Sequence, residues 1–577
     1  MHRKWLLLLL MIFSGSFYAA EAPTIVFEGL PKAIATTVEN SVNISTNQNL
    51  GKLSNIALYV LVQQGQNQLK QALKPFGYYR STISISVTYN PWVITYHVTP
   101  GEPVLVKTVN VLIEGTGKEN PVFQQTINAN AIALNQPLSH DQYTTLKNAL
   151  LNTATANGYF DARLTTHQIR IDLSTLQATI LLTLATGEQY HFSTITLQQS
   201  KPTFRTDFLQ RFNPITPSQP YSRKALDQLQ SNLDRSGYFS SVNLNATPDT
   251  TTKAVPLIAE LTPTLPQQYT LGGGYGTDTG PRLLLGWKLR HITDTGQYFT
   301  SELEISQAYS RFLTSYVIPG GNPMTDYTSI NASQSFTNLT AYDARETLFG
   351  VYHVHQVNQW KYGYGLTQNL VSYNTQANST TEHDQYLMPA VDITYTNKTQ
   401  LPYWDQGLMT TLNLTGSVAN PLSNATFSKA VGSLYYAHQL LPSNRFFVNN
   451  TLGGISVSNP QSIAPTLRFY AGGVDSLRGF QYQTVAPENN AGQLTGGKFL
   501  WVSQFNFEQH LLDKLSGILF YDVGNAFNSW QHVAPQQDAG FGISWQTPVG
   551  PIRAYLARAL TVAGPRWQLS LGIGTSL

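Results

Sequence analysis

Two hydrophobic periods divide the chain. Up to about residue 265, apolar positions recur at helical spacing in three stretches, each followed by short alternating runs. From residue 266 onward the helical spacing stops and period two takes over. Phe299, Ser301, Leu303 and Ile305 alternate with Thr300, Glu302, Glu304 and Ser306. Phe541, Ile543 and Trp545 alternate with Gly540, Gly542, Ser544 and Gln546, and Trp567, Leu569, Leu571 and Ile573 with Gln568, Ser570, Gly572 and Gly574. Successive strand side chains point to opposite faces, so one face is apolar and the other polar, as lipid-facing and lumen-facing positions require. A soluble sandwich alternates too, but it buries its apolar side and leaves charges outside. Turn signals cut 266–577 into sixteen candidate strands, beginning near 268, 282, 297, 311, 325, 344, 358, 383, 407, 427, 443, 498, 516, 540, 551 and 566. An even number suits a single-chain bacterial barrel.

The first half repeats itself. Phe76-Gly77-Tyr78-Tyr79, Asn157-Gly158-Tyr159-Phe160 and Ser236-Gly237-Tyr238-Phe239 each end a helical stretch, with their glycines 81 and 79 residues apart. Ser139 is placed to cap a helix through Ala156, and Ser222 one through Arg235. The glycine supplies a left-handed helix stop, and the aromatics after it pack the next strand back onto the helix. Pro100-Gly101-Glu102 and Thr186-Gly187-Glu188 each separate a closing strand from the opening strand of the next unit. Each unit of about 80 residues therefore reads βααββ.

Composition narrows the class. The 577 residues are 12% charged, about half the ~25% of an ordinary soluble domain. The net charge of +3 is too small for a nucleic-acid binder. There is no cysteine, which removes disulfides, thiolate metal sites and cysteine nucleophiles. His2-Arg3-Lys4, the nine apolar residues Trp5–Phe13 and the small residues to Ala20 form an export signal, expected to occupy 1–20; the cleavage point is ambiguous between Ala19, Ala20 and Ala22. No later stretch is long enough for a membrane helix, so a membrane form must be a closed barrel.

Catalytic chemistry is not evident. His353 and His355 share a strand face and could hold a metal, but isolated strand histidines more often line a lumen or a girdle. Gly272-Gly273-Gly274 lacks the lysine and the strand-turn-helix setting of a phosphate loop. Neither a Gly-x-Ser-x-Gly elbow nor a His-Glu-x-x-His helix is present. The expectation is a non-enzyme without cofactor or metal.

One connection is exceptional. About 40 residues separate the strands near 443–457 and 498–508, against ~12–15 for a long routine loop. It contains Gly472-Gly473-Val474-Asp475-Ser476-Leu477-Arg478-Gly479-Phe480. Here the sequence resembles the outer-membrane assembly superfamily of BamA, the two-partner secretion transporters and TamA. In that superfamily the long sixth loop folds into the lumen and carries a [Val/Ile]-Arg-Gly-[Phe/Tyr] tip. Leu477 departs mildly at the first position. Phe520-Tyr521-Asp522-Val523-Gly524-Asn525, Gly540-Phe541-Gly542 and Thr547-Pro548-Val549-Gly550-Pro551-Ile552-Arg553 look like the same family, and the three repeats resemble POTRA domains. Three repeats, sixteen strands and a chain ending in Leu577 look most like the TamA branch.

The resemblance implies α+β POTRA repeats followed by an all-β transmembrane barrel: POTRA domains at 22–102, 103–187 and 188–265, then a 16-stranded barrel at 266–577. It implies a Gram-negative outer-membrane assembly factor whose POTRA domains lie in the periplasm and dock an inner-membrane-anchored TamB-like partner. Its clients would be outer-membrane proteins such as autotransporters, with outer-membrane lipid as a further partner and no nucleic acid. Leu477, Arg478, Gly479 and Phe480 would anchor the loop, with Asp522 the first-choice partner of Arg478 and Glu508 the second. Gly272, Gly273, Gly274, Tyr275 and Gly276 of the first strand, with Leu571, Gly572, Ile573 and Gly574 of the last, would form a lateral gate. The competing expectation is a two-partner-secretion-type transporter exporting one unfolded substrate through the pore. Such proteins carry a plug helix, and the third repeat speaks against it.

Overall fold

A computed structural model gives the fold and describes residues 22–46, 50, 53–89, 91–400, 405–547, 550–562, 564 and 566–573. The expected export segment, Pro548, Val549, Gly574 and Leu577 lie outside the described residues. The chain forms two compact bodies. One comprises the chain to Ile195 with 215–227 and 245–257; the other comprises 196–214, 228–244 and the chain from Ile258 onward.

The repeats fold as βααββ units. Thr24–Glu28, Trp92–Thr99 and Thr82–Tyr89 form one sheet in that spatial order; Leu105–Glu114, Gln177–Ala185 and Arg163–Asp172 form a second; His191–Gln199, Ala254–Pro263 and Phe239–Ala246 a third. In the first two sheets the central strand runs parallel to the opening strand and antiparallel to its hairpin partner. The long helices are Asn55–Leu73, His140–Ala156 and Arg223–Arg235. The first repeat adds a short helix to the expected pair, Ala35–Asn40 and Asn43–Thr46 preceding Asn55–Leu73. Helical spacing meets strand alternation in each core: Leu69 and Leu73 pack with Ile94 and Tyr96, and Leu146 and Leu150 with Ile180 and Leu182.

The recurring glycine stops each helix as its position in the repeat predicts. Gly77, Gly158 and Gly237 have φ of +89°, +83° and +72°, where a side chain would be strained. The first two also set the junctions between units, since Val104 N donates to Gly77 O and Tyr190 N to Gly158 O, both at 2.9 Å.

Residues 267–573 close into a sixteen-stranded antiparallel barrel, from Gln267–Gly276 to Trp567–Ile573. Strand starts follow the turn signals closely. The largest difference is the eighth strand, Asn378–Gln400, which begins five residues before the expected 383. Its first residues, Asn378-Ser379-Thr380-Thr381-Glu382, lack apolar alternation because the hairpin runs beyond the hydrocarbon: a 23-residue strand far exceeds the ~9–11 needed to cross. The alternation has the expected sense. Phe541, Ile543, Trp545, Leu569 and Ile573 are exposed, while Glu304, Asp522 and Asp538 are buried inside. Exposed apolar rings and branched chains in water would be unfavourable; in lipid they are the solvated surface. Among the described residues no helix is long and apolar enough to cross a membrane, a statement about helices alone.

A pH effect follows at the first junction, where the Tyr79 hydroxyl lies 2.7 Å from His140 Nε2. Burial lowers the His140 pKa, because the charged ring is poorly solvated there. A base whose folded pKa lies below its unfolded value of about 6.5 stabilises the fold above that pH and loses the contribution as pH falls. Amide protection around Tyr79 and in helix His140–Ala156 should therefore drop on acidification below about pH 6.5. His140→Gln should flatten the response, and a pH-independent protection factor in the unsubstituted chain would contradict it.

Candidate functional site

The long connection joins the eleventh strand, Asn444–Ser456, to the twelfth, Phe499–Leu512. It lies against lumen-facing side chains. Ala464 N donates to the Tyr386 hydroxyl at 2.8 Å, Thr466 Oγ1 to Glu346 Oε1 at 2.9 Å, and Lys429 Nζ to Leu467 O at 2.8 Å. Ile463, Ala464, Leu467 and Phe469 join a buried cluster with Tyr342, Tyr373, Tyr386 and Phe427 of the wall. Arg468 folds the loop on itself, donating to Ile463 O at 3.1 and 2.6 Å and to Thr495 O at 2.8 Å. The connection is thus packed and hydrogen-bonded inside the barrel, which explains its length: its own backbone groups find partners in turns and on the wall.

At its tip Arg478, 3% exposed, meets the wall. Its Nε donates to Asp522 Oδ2 at 2.8 Å and its Nη2 to Asp522 Oδ1 at 2.5 Å, a two-point fork on the thirteenth strand, Leu515–Phe527. The Arg478 amide adds a third bond to Asp522 Oδ2 at 3.2 Å, and Nη2 also donates to Asn506 Oδ1 at 2.9 Å. The guanidinium plane lies 3.7 Å from the Phe520 ring centre and 5.2 Å from that of Tyr555. A planar, permanently charged fork between a carboxylate and aromatic faces is an arrangement that arginine makes and lysine does not. Leu477 is wholly buried with Ala471, Val485 and Val502, and Phe480 packs on that cluster. Gly479 is required by close approach, since a Cβ there would lie 2.5 Å from Asp538 Cβ.

Glu508, the alternative partner for Arg478, is engaged elsewhere. Directly across the ladder stands Arg445, whose Nε and Nη2 reach Glu508 Oε2 at 2.8 and 2.7 Å. A cross-strand neighbour leaves no reason for the loop arginine to take it. Asn506, Phe520, Tyr555 and Asp538 were not singled out from the sequence. Phe520 stands two residues before Asp522 and Asn506 two before Glu508, so same-face spacing could have named both. Asp538 is buried directly opposite Asp522, a neighbour that depends on hairpin register and carries no local signal. His353 lies 3.2 Å from Asp326 and its Nδ1 3.0 Å from Thr328 Oγ1; among the described residues no group of three potential ligands gathers there.

The barrel closes between its first and last strands. On one side the first strand pairs through all ten of its residues, from Gln267↔Leu289 to Gly276↔Gly280. On the other, among the described residues, only Tyr275↔Ile573 and Gly276↔Gly572 pair. Beyond them Thr277 N donates to Leu571 O at 3.0 Å and Leu571 N to Thr277 Oγ1 at 3.2 Å. A Cβ on Gly274 would sit 2.5 Å from Ile573 O, so the two strands approach as only glycine allows. Gly272 and Gly273 continue the same strand, where Tyr269 and Leu271 are 74% and 78% exposed.

Parts of the chain are similar to known proteins. Residues 292–576 match the model of the Omp85 superfamily domain, 24–100 that of POTRA domain TamA domain 1, and 190–263 a POTRA model described as surface antigen variable number repeat. The outer membrane protein assembly factor BamA of Nitratidesulfovibrio vulgaris is 29% identical over 137 residues, which are 22% of this chain and only 17% of that protein. The crystal structure of BamA from Haemophilus ducreyi lacking POTRA domains 1–3 has a TM-score of 0.65 at 14% identity, covering 81% of this chain and 99% of its own. CdiB from Acinetobacter baumannii reaches a TM-score of 0.48 at 16% identity over 90% of this chain and 99% of its own. A closed sixteen-stranded barrel, a long loop tied inside it and βααββ repeats ahead of it accompany these matches: over residues 292–576 the barrel is similar to an Omp85 superfamily domain, and the repeats ahead of it are similar to POTRA domains.

Proposed function

We propose that this protein is an outer-membrane insertase of the TamA type, which helps β-barrel clients such as autotransporters to assemble through a lateral gate between its first and last strands. The observation that carries the reading is the seam. The first strand is paired along its whole length on one edge and, among the described residues, joins the last strand through Tyr275 and Gly276 on the other, so parting these two strands would offer amides and carbonyls to an incoming strand. Client strands would add to that edge by β-augmentation, each exchanging water or lipid contacts for a ladder. Gly272, Gly273, Gly274 and Gly276 weaken the side-chain packing that would hold the edge shut. Leu477, Arg478, Gly479 and Phe480, with Asp522, would keep the long loop in place while the seam opens. Energy would come from client folding and from burial of apolar surface in lipid, with the protein lowering the barrier.

The POTRA domains would lie in the periplasm and engage an inner-membrane-anchored, TamB-like partner. The match of residues 24–100 to a TamA-specific POTRA model supports that assignment. A third POTRA unit in front of the barrel favours the insertase over a two-partner-secretion-type exporter, in which a plug helix would be expected.

Breaking the buried ion pair tests the loop anchor. Arg478→Ala should lower the unfolding free energy of the barrel by about 3–5 kcal/mol, because Asp522 is left buried without its counter-charge. Urea unfolding in detergent micelles, followed by tryptophan fluorescence, reads this directly, and a loss below about 1 kcal/mol would place the pair outside the anchor. Arg478→Asp in an assembled barrel should also impair client insertion.

The seam is tested by locking it. Tyr275 and Ile573 are directly opposed, so Tyr275→Cys with Ile573→Cys in this cysteine-free chain places two thiols across the ladder. Client accumulation in the outer membrane should fall when the disulfide forms and recover with reductant. Undiminished client insertion through a demonstrably locked seam would favour export through the pore.

A further inference from the structure

The tip of the long loop touches the other side of the seam as well. Between the first strand, Gln267–Gly276, and the second, Gly280–Leu289, the turn is Thr277-Asp278-Thr279. Asp278 Oδ2 accepts a 2.7 Å hydrogen bond from Val474 N, four residues before Arg478. The carbonyl of the same residue, Val474 O, accepts from Gln504 Nε2 of the twelfth strand at 3.1 Å. Val474 therefore stands between the first hairpin and the twelfth strand of the wall. Its side chain packs against the cluster of Ile518, Phe520, Tyr555 and Ala557, which includes the two rings that flank the Arg478 guanidinium. Next to it, Gly473 has φ +99°, and a Cβ there would lie 2.8 Å from Asp278 Oδ2, so the loop backbone is pressed against the carboxylate.

The neighbour of Asp278 closes the seam. Thr277 exchanges two hydrogen bonds with Leu571 of the last strand, N to O at 3.0 Å and Oγ1 from N at 3.2 Å. One three-residue turn thus holds the last strand through Thr277 and the lumenal loop through Asp278. An outward swing of the first hairpin that frees Leu571 carries Asp278 away from Val474. Withdrawal of the loop tip removes the partner that fixes the turn.

We propose that Asp278 is a positioning residue for the gate: it latches the loop tip to the first hairpin, so that seam release and loop displacement are coupled. The role asks for a hydrogen-bond acceptor at this position, and a buried amide without one would be penalised. By linkage, opening the seam weakens the loop contact by the same factor as freeing the loop weakens the seam. The inference rests on the lateral-gate reading, and its test is separable from it.

The full-length protein in outer membranes carries two readouts. One is the rate at which a membrane-impermeant maleimide labels Asp475→Cys, beside the latch. The other, in a separate chain, is the yield of the Tyr275→Cys/Ile573→Cys disulfide under mild oxidant. Asp278→Ala should raise labelling about tenfold and cut the disulfide yield in parallel, a factor corresponding to about 1.4 kcal/mol. Asp278→Asn, whose amide oxygen still accepts from Val474 N, should restore both readouts. Thr277→Ala is the reciprocal case: it touches only the seam, yet coupling requires loop labelling to rise. Heat-modifiable migration on gels identifies assembled barrels, and should Asp278→Ala fail to assemble, Thr277→Ala carries the test. Labelling that rises in Asp278→Ala with an unchanged disulfide yield overturns the latch, as does unchanged loop labelling in Thr277→Ala. Either result leaves the gate intact; the gate itself fails only if client insertion persists through a locked seam.

Discussion

A sheet immersed in hydrocarbon has to close on itself, because no water is present to satisfy an open edge. Sixteen strands achieve this here, and fifteen of the junctions are antiparallel ladders between neighbours in sequence. The sixteenth joins strands from opposite ends of the barrel domain and has no connecting turn to fix its register. It is held, among the described residues, by two residue pairs and the bonds of Thr277. The place of this junction is therefore a consequence of topology, and the glycines of the first strand lie along it.

The long loop addresses a second constraint. A barrel of this size encloses more space than its inward side chains fill. Residues 457–498 occupy part of that space, and their attachment is electrostatic as well as apolar. Arg478 and Asp522 are both buried, so each would be costly alone, and their fork geometry with Asn506 and two aromatic faces compensates. Such a pair contributes specificity of position more than net stability: the tip fits one place on the wall. That place lies on the thirteenth strand, near the last strands of the barrel, while Asp278 meets the tip from the first hairpin.

Much of this was legible in the sequence, and the remainder divides along a physical line. Period two revealed which face is apolar in the strands holding Phe541 and Ile573, so both could be assigned to lipid, whereas Asp522 was reached through the family resemblance of the loop tip. The Gly-Tyr-aromatic triplets marked the helix stops because a positive φ leaves few residue choices. Alternation names a face, however, and leaves the neighbour undetermined. Glu508 has the right face for Arg478, but register sets it opposite Arg445, and nothing local in the sequence encodes that register. The places of Asp538 and Tyr555 depend on register in the same way. The eighth strand began early because its polar first turn sits outside the membrane, where alternation is not demanded. The contact of Asp278 with Val474 spans 196 residues and belongs entirely to tertiary structure.

The central claim is that clients meet this protein at the edge of its first strand. A photo-crosslinking amino acid placed at Leu271, on the exposed seam edge, and separately at Gln504, inside the lumen, tests it during assembly of an autotransporter in cells. The account predicts adducts between Leu271 and the client's barrel strands, and few from Gln504. Adducts from Gln504 with none from Leu271 would contradict it, because the client would then be passing through the pore.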